Sequence, residues 1–181
     1  MPNGSIVAKQ EGNTQDSVAP AQSPLLVTNM TITPGRKISF RQVSGTTTWS
    51  DAPGTFGPDG NTGWIVGDYQ SAASGIGRTW APIQCLVGIF LDNRAPNTYA
   101  AAPNLDFTSP ESRDFETFSP KLKQIFFIGD GINSEGKLQE FVVPNGATRL
   151  YIGLMDEKGW WWDNYGTVST TVINDRVQLV K

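Results

Sequence analysis

The run Leu150-Tyr151-Ile152-Gly153-Leu154-Met155 is followed by Asp156-Glu157-Lys158-Gly159-Trp160-Trp161-Trp162-Asp163-Asn164-Tyr165-Gly166 and then by Thr167-Val168-Ser169-Thr170-Thr171-Val172. The first and third runs alternate between apolar and other side chains, which is the pattern of β-strands with one buried face. The middle segment, 156–166, is therefore predicted to be a loop between two strands.

The same pattern recurs along the chain, and no segment shows a helical period. Strands are predicted at 25–33, 36–45 with an extension to 50, 80–91, 124–129, 137–143, 147–155 and 167–179. About eight strands joined by long connections predict an all-β fold, an antiparallel β-sandwich of the jelly-roll or galactose-binding-domain-like type.

One domain is predicted, because 181 residues suit a single core. Residues 1–23 are rich in polar residues and are predicted to form an N-terminal arm or linker to a β-sandwich domain at 24–181. The segment 51–78 is predicted to be a long loop, since it contains seven glycines and two prolines. The segment 92–121, with four prolines, is predicted to be an insertion over the sandwich surface that includes a short helix.

Composition excludes several classes of function. A net charge of −3 offers no basic patch for nucleic acid. No apolar run is long enough for a membrane span, and residues 1–24 lack the apolar segment of a signal peptide. Export would then require a larger secreted or cell-surface protein. The absence of histidine excludes a Ser-His-Asp or Cys-His catalytic unit. The single cysteine, Cys85, lies in an apolar run and is predicted to be a core thiol.

The loop at 156–166 concentrates oxygen donors. Asp156 and Asp163 are seven residues apart and Asn164 follows directly. Because Ca²⁺ takes six to eight oxygen ligands in a flexible shell, a loop that curls on itself could present these side chains and backbone carbonyls to one ion. The alternative is a solvated turn whose side chains accept hydrogen bonds from backbone N–H groups.

Three consecutive tryptophans, Trp160, Trp161 and Trp162, favour a binding loop over a solvated turn. Neighbouring side chains point in different directions, so all three cannot face the core. An exposed indole on a small domain commonly marks a binding surface, and its face suits stacking on a sugar ring. Together with the oxygen donors, these residues predict a calcium-dependent carbohydrate site.

The segment 146–172 resembles the PA-IL/LecA-like family of calcium-dependent, galactose-binding bacterial lectins. That family carries Asp, Thr four residues later and then Asn-Asn-x-Gly; this chain has Asp156, Trp160 and Asp163-Asn164-Tyr165-Gly166 at the same spacing. Upstream, 44–49 and 56–61 resemble the family's aromatic-Gly-Pro-x-Gly-Asp region, and 82–90 resembles its central strand. The resemblance covers about half of the chain, in three blocks.

The resemblance implies a Ca²⁺ cofactor and a ligand set. Asp156, Asp163 and Asn164 would give side-chain oxygens, whereas Trp160 and Trp49 would give backbone carbonyls. Asp163 stands where the family has asparagine, which adds a charge that should tighten calcium binding. The family's sugar-contacting His and Gln have no secure match; Trp64 and Gln70 are the nearest candidates, beside stacking by Trp160, Trp161 or Trp162. Galactose is the family's sugar, and homo-oligomerisation is one route to the multivalency that weak sites need.

Alternatives with the same fold stay open. The chain could be a carbohydrate-binding module of a larger enzyme, with the N-terminal arm as linker. It could hold a structural calcium site in an adhesin or surface protein, without sugar. It could also be a jelly-roll glycosidase or lyase, which needs two carboxylates converging on one glycosidic bond. Asp156 with Asp163, or the acidic cluster Glu111, Asp114 and Glu116, would be the candidate pairs. We expect binding rather than catalysis.

Overall fold

The computed structural model describes residues 24–67, 75–157, 160 and 163–174, together with the backbone at 6–7 and 17–18. Strands dominate this part of the chain, which also contains a 3₁₀ turn, Pro96–Thr98, and an α-helical turn, α1, Pro110–Arg113. The strands are β1 (Ile6–Val7), β2 (Ser17–Val18), β3 (Leu25–Leu26), β4 (Lys37–Trp49), β5 (Asn61–Gly67), β6 (Thr79–Ile83), β7 (Leu86–Leu91), β8 (Leu105–Asp106), β9 (Thr117–Phe118), β10 (Ile125–Phe127), β11 (Glu140–Val142), β12 (Arg149–Leu154) and β13 (Asn164–Asn174).

The two larger sheets have four strands each. The first has the order β10-β7-β12-β3, with antiparallel neighbours throughout. The second has the order β13-β4-β11-β9 and is antiparallel except for the β11–β9 pair. A three-stranded sheet, β5-β6-β8, adds one more parallel pair, β6–β8, and β1 pairs with β2.

The core lies between the two four-stranded sheets. Phe126 on β10 meets Phe141 on β11 with ring centroids 4.9 Å apart, so the sheets contact face to face. Phe90 extends the aromatic cluster within the first sheet and Phe40 extends it within the second. All four rings are fully buried. The predicted all-β, sandwich-like single domain is confirmed.

The outer face of the first sheet is covered as well. Ile89, Leu91 and Tyr151 form a second, smaller cluster, so that β7 is buried on both faces. Nearby, Lys123 is buried and its amine donates hydrogen bonds to the carbonyls of Tyr99 (3.2 Å) and Ala100. The amine also lies 3.3 Å from the centroid of the Tyr99 ring, which attracts a cation.

Several strand predictions were wrong in detail. The segment 80–91 is not one strand, because Gln84 adopts φ = 66° and separates β6 from β7. The segment 51–78 is not wholly a loop, since it contains β5, which pairs with β6 across a register shift. Only Leu25–Leu26 of the predicted strand 25–33 is extended and paired. The number of described strands exceeds the eight expected, because several are two-residue edge strands.

The segment 92–121 supplies β8 and β9 to two different sheets and contains α1. Its description as an insertion stays a prediction. The predicted arm, 1–23, lies outside the described residues apart from β1 and β2. Cys85 is buried in the core, as predicted. Within the described part of the chain, no helix has both the length and the apolar character that crossing a membrane requires.

Candidate functional site

The candidate site lies where the chain crosses from one large sheet to the other. β12 belongs to the first sheet and β13 to the second, so the loop between them spans one end of the sandwich. At its start, Met155 accepts a hydrogen bond from the Gln84 backbone N–H (2.8 Å) and donates one to the Cys85 carbonyl (2.9 Å). At its end, Asn164 pairs with Trp49 on β4. Both ends of the loop are therefore fixed by strands.

Two carboxylates of this loop are almost completely buried. Asp156 is 4% exposed and Asp163 is 7% exposed. Asp156 accepts hydrogen bonds from the Asn164 side-chain amide (Nδ2 to Oδ2, 2.6 Å) and from the Glu157 backbone N–H (2.7 Å). Asp163 accepts a long hydrogen bond from Ser50 Oγ (3.4 Å), and a hydrogen bond from its own backbone N–H also lowers its pKa. Desolvation outweighs both, so the charge on Asp163 is only partly compensated.

Burial raises the pKa of both carboxyl groups. Desolvation raises the pKa of Asp156 to about 6, against the opposing effect of its hydrogen bonds, and the charges of Asp163 and Glu157 add to the rise. Desolvation also raises the pKa of Asp163, and the charge of Asp51 contributes to that rise. A raised pKa means that the surrounding groups do not fully stabilise the negative charge of these carboxylates when they are ionised. A bound cation would supply the missing positive charge.

A relay of side-chain amides supports Asp156 from the core side. The side-chain Nε2 of Gln84 donates to Asn164 Oδ1, and Asn164 donates in turn to Asp156. Gln84 is fully buried, and its Oε1 has no hydrogen-bond partner among the described residues. A buried amide oxygen without a partner is rare in folded proteins.

The two buried carboxylates open onto a cleft of about 410 Å³. Two indoles on its wall are exposed: Trp64 by 52% and Trp160 by 41%. Trp49 also lines the cleft. Its ring stacks on Phe56 with an angle of 11° between the rings and makes an edge contact with Trp64. The remaining described residues of the wall are Asp51, Pro53, Ile83 and Glu157. The cleft therefore combines flat aromatic faces with acidic oxygens.

The structure brings together most of the residues that the sequence selected. One cleft is lined by five of them: Asp156, Asp163, Trp49, Trp64 and Trp160. The side-chain amide of Asn164 donates a hydrogen bond to Asp156. Gln70, Trp161 and Trp162 lie outside the described residues.

The two backbone carbonyls proposed as ligands already accept hydrogen bonds. The carbonyl of Trp160 accepts one from Asp163 N–H (3.4 Å), and that of Trp49 accepts one from Ala52 N–H (3.0 Å). The Trp49 carbonyl also accepts a hydrogen bond from Thr48 Oγ1 (3.3 Å), so both of its lone pairs are engaged, and it could bind a cation only by giving up one of these bonds.

The donor set fits a hard cation in chemistry. Within the described residues, no cluster of three or more His, Cys, Asp or Glu side chains is placed to hold a metal ion. The predicted set includes only two carboxylates, however, and completes the shell with an amide and backbone carbonyls, as oxygen-rich Ca²⁺ sites do. The under-compensated charges of Asp156 and Asp163 agree with this assignment.

Three contributors were missed in the sequence. Gln84 stands in an apolar run and was assigned to a continuous buried strand, although a lone amide in such a run is itself a signal of a buried polar contact. Asp51 and Ser50 reach the site because the turn after β4 packs against the loop, and nothing in their local sequence indicates this.

Comparison with known proteins adds no assignment: no protein-family model, curated protein or solved structure matches the chain.

We expect the metal-free protein to lose stability as pH rises from about 4 to about 6. The folded state holds the Asp156 proton up to a pKa of about 6, whereas the unfolded chain releases it near 3.9. The folded state thus binds more protons in this window, and the free energy of unfolding should fall by about 1–3 kcal/mol. Urea denaturation in chelator at a series of pH values measures this.

Asp156→Asn should flatten that dependence, because the amide does not titrate. Asp106→Asn is the matched control, since Asp106 is exposed on β8, and it should keep the slope. An unchanged slope in Asp156→Asn would contradict the assignment of the raised pKa to this carboxyl group.

Proposed function

We propose that this protein binds carbohydrate in a calcium-dependent manner at the cleft formed by the 156–164 loop. The observation that carries the proposal is the meeting of two buried, under-compensated carboxylates, Asp156 and Asp163, with two exposed indoles on the wall of one cleft. Sugar rings present hydroxyls at their edges and C–H groups on their faces, so this pairing of surfaces suits them. The resemblance of 146–172 to calcium-dependent lectins agrees with the proposal.

Each group has a distinct part in binding. Asp156, Asp163 and Asn164 would hold Ca²⁺, which when bound supplies open coordination positions for two vicinal hydroxyls. The carboxylates would accept hydrogen bonds from the same hydroxyls, strengthened by the charge of the acceptors. Trp64 or Trp160 would stack on the ring and exclude water from one side of it. Strands fix the chain at Met155 and at Asn164 before the ligand arrives, which reduces the entropy lost on binding.

The charge of the cleft favours neutral over acidic sugars. Its described titratable residues are all carboxylates: Asp51, Asp156, Glu157 and Asp163. One Ca²⁺ would balance two of them, which leaves two negative charges at the wall. An acidic sugar would meet this charge of its own sign, and like charges within a cleft oppose binding.

A glycosidase is the second candidate, because a buried carboxyl group with a raised pKa is also how a general acid is prepared. In Asp156, however, the hydrogen bonds from Asn164 and Glu157 favour the ionised carboxylate over the protonated form that a general acid needs. Release of nitrophenol from aryl glycosides in the presence of chelator would favour the enzyme over the binding protein.

The test of the proposal is ligand-dependent thermal unfolding. Ca²⁺ should raise the melting temperature relative to chelator, and a neutral sugar such as galactose should raise it further only when Ca²⁺ is present, since each binds the folded state alone. Asp163→Asn should weaken Ca²⁺ binding about three- to tenfold, because one charged ligand becomes neutral. Asp106→Asn should change neither response. A melting temperature that Ca²⁺ leaves unchanged would overturn the proposal.

Removal of the exposed indoles should separate sugar binding from metal binding. Trp64→Ala and Trp160→Ala should each weaken sugar affinity by about 1 kcal/mol or more, as loss of an aromatic contact does, while Ca²⁺ affinity changes little. Tyr165→Ala is the control, because Tyr165 is a 58% exposed aromatic residue that does not line the cleft. Calorimetric titration with Ca²⁺ and then with sugar measures both affinities. Equal loss of sugar binding in the Tyr165 variant would count against stacking in the cleft.

A charge series of ligands tests the sugar class. The methyl glycoside of galactose should bind more tightly than that of galacturonic acid at low salt, and the difference should shrink when the ionic strength is raised to about 1 M, where the Debye length falls to ~3 Å. Asp51→Asn should reduce the difference, because Asp51 lies at the wall of the cleft. Tighter binding of the acidic sugar would contradict the repulsion argued from the wall.

A further inference from the structure

The buried amide of Gln84 stands directly behind the proposed cation site. Its backbone N–H is fixed on the Met155 carbonyl (2.8 Å), and its φ of 66° turns the chain between β6 and β7 at this point. Its side chain reaches the site only through Asn164, to whose Oδ1 it donates. The opposite atom of the same amide, Oε1, has no hydrogen-bond partner among the described residues.

The side-chain amide of Asn164 has its NH₂ group toward Asp156, whereas a cation bound there would require its oxygen. Its Nδ2 faces Asp156 (2.6 Å), and its Oδ1 faces Gln84. A cation attracts oxygen and repels N–H groups, so Asn164 could share a cation with Asp156 only through Oδ1. The two atoms lie on opposite sides of a planar amide, and rotation of the group would exchange them.

Rotation of Asn164 alone would place its NH₂ against the NH₂ of Gln84, where neither has an acceptor. Rotation of Gln84 as well would present Oε1 to Asn164 Nδ2 and restore one hydrogen bond between the two side chains. The Gln84 rotation breaks no other bond among the described residues, because Oε1 has no partner there to lose. The pair can therefore reverse with the number of hydrogen bonds between its members unchanged.

Resting on the proposed function, we propose that Gln84 is a positioning residue whose amide reverses together with that of Asn164 when a divalent cation binds. In the metal-free orientation the relay donates toward Asp156 and offsets its charge. In the metal-bound orientation Gln84 accepts from Asn164 and holds the Asn164 oxygen toward the cation. The residue thus acts behind the ligand, where partners of this kind commonly set the affinity of a metal site.

Two substitutions of Gln84 separate this role from packing. Gln84→Met keeps the volume but offers no amide, and should weaken Ca²⁺ binding about 10- to 100-fold, the usual effect of losing a partner behind a ligand. In its ionised form, the Gln84→Glu side chain cannot donate to Asn164 in the metal-free orientation but accepts from it in the metal-bound one. It should keep the wild-type Ca²⁺ affinity within about threefold or exceed it, since a charged acceptor strengthens that hydrogen bond.

The matched control is Gln139, which is also fully buried and whose Oε1 also has no hydrogen-bond partner within the described part of the chain. Its Nε2, however, donates to the carbonyls of Arg113 and Phe115. Gln139→Met should lower the melting temperature and leave Ca²⁺ affinity unchanged. In ¹H–¹⁵N spectra of the wild-type protein, the side-chain amide signals of Gln84 and Asn164 should shift together during a Ca²⁺ titration, while those of Gln139 stay in place.

The outcomes distinguish the two levels of the proposal. If the wild-type protein binds Ca²⁺ and the Met and Glu variants of Gln84 lose affinity equally, Gln84 serves packing only, and the positioning role is overturned while the proposed function stands. The same holds if neither variant changes the affinity. If the wild-type protein binds no Ca²⁺, the proposed function and the positioning role fall together.

Discussion

The site depends on the crossing of the chain from one large sheet to the other between β12 and β13. Each end of that crossing is held by a different sheet: Met155 by backbone hydrogen bonds to Gln84 and Cys85, and Asn164 by its pairing with Trp49. The aromatic core between the sheets fixes the distance that the loop must span. Asp156 and Asp163, each next to one of these anchored residues, are thereby placed at the end of the sandwich.

This constraint explains why two carboxylates are tolerated in a buried position. Burial of ionised groups opposes folding, and the raised pKa of Asp156 and of Asp163 expresses that cost. The core between the sheets, with the fully buried rings of Phe40, Phe90, Phe126 and Phe141, is the part of the fold that offsets it. Buried carboxylates that lower the stability of the fold are commonly found at functional sites. The two carboxylates whose burial opposes folding are thus the same two that lie beside the exposed indoles and that we propose as calcium ligands.

The sequence predicted the fold class and the loop because both depend on local patterns. Alternation in 150–155 and 167–172 identified the flanking strands, and the spacing of Asp156 and Asp163 identified the candidate donors. The contributions of Ser50 and Asp51 depend on contacts between segments distant in the chain, which no local pattern encodes. The lone amide of Gln84 in an apolar run signals a buried polar contact but does not identify its partner. β5 was missed because its glycines and its register shift at 61–65 hide the alternation. The two parallel edge pairs arise from short strands in 92–121 that carry little pattern of their own.

Lys123 lies beside β7, where its backbone N–H donates to the Phe90 carbonyl, and its amine arranges other carbonyl oxygens around a positive charge. Its amine donates hydrogen bonds to the carbonyls of Tyr99 and Ala100, in the same way that a metal ion is coordinated by carbonyl oxygens. Unlike a metal ion, this charge is covalently part of the chain. A tethered cation cannot be diluted away or exchanged, so the order of residues 96–100 does not depend on the ionic composition of the surroundings. Under the proposed function, the 156–164 loop relies instead on a cation drawn from outside. Residues 96–100 would then be ordered by a charge that belongs to the chain itself, whereas the candidate site would bind sugar only when Ca²⁺ is available.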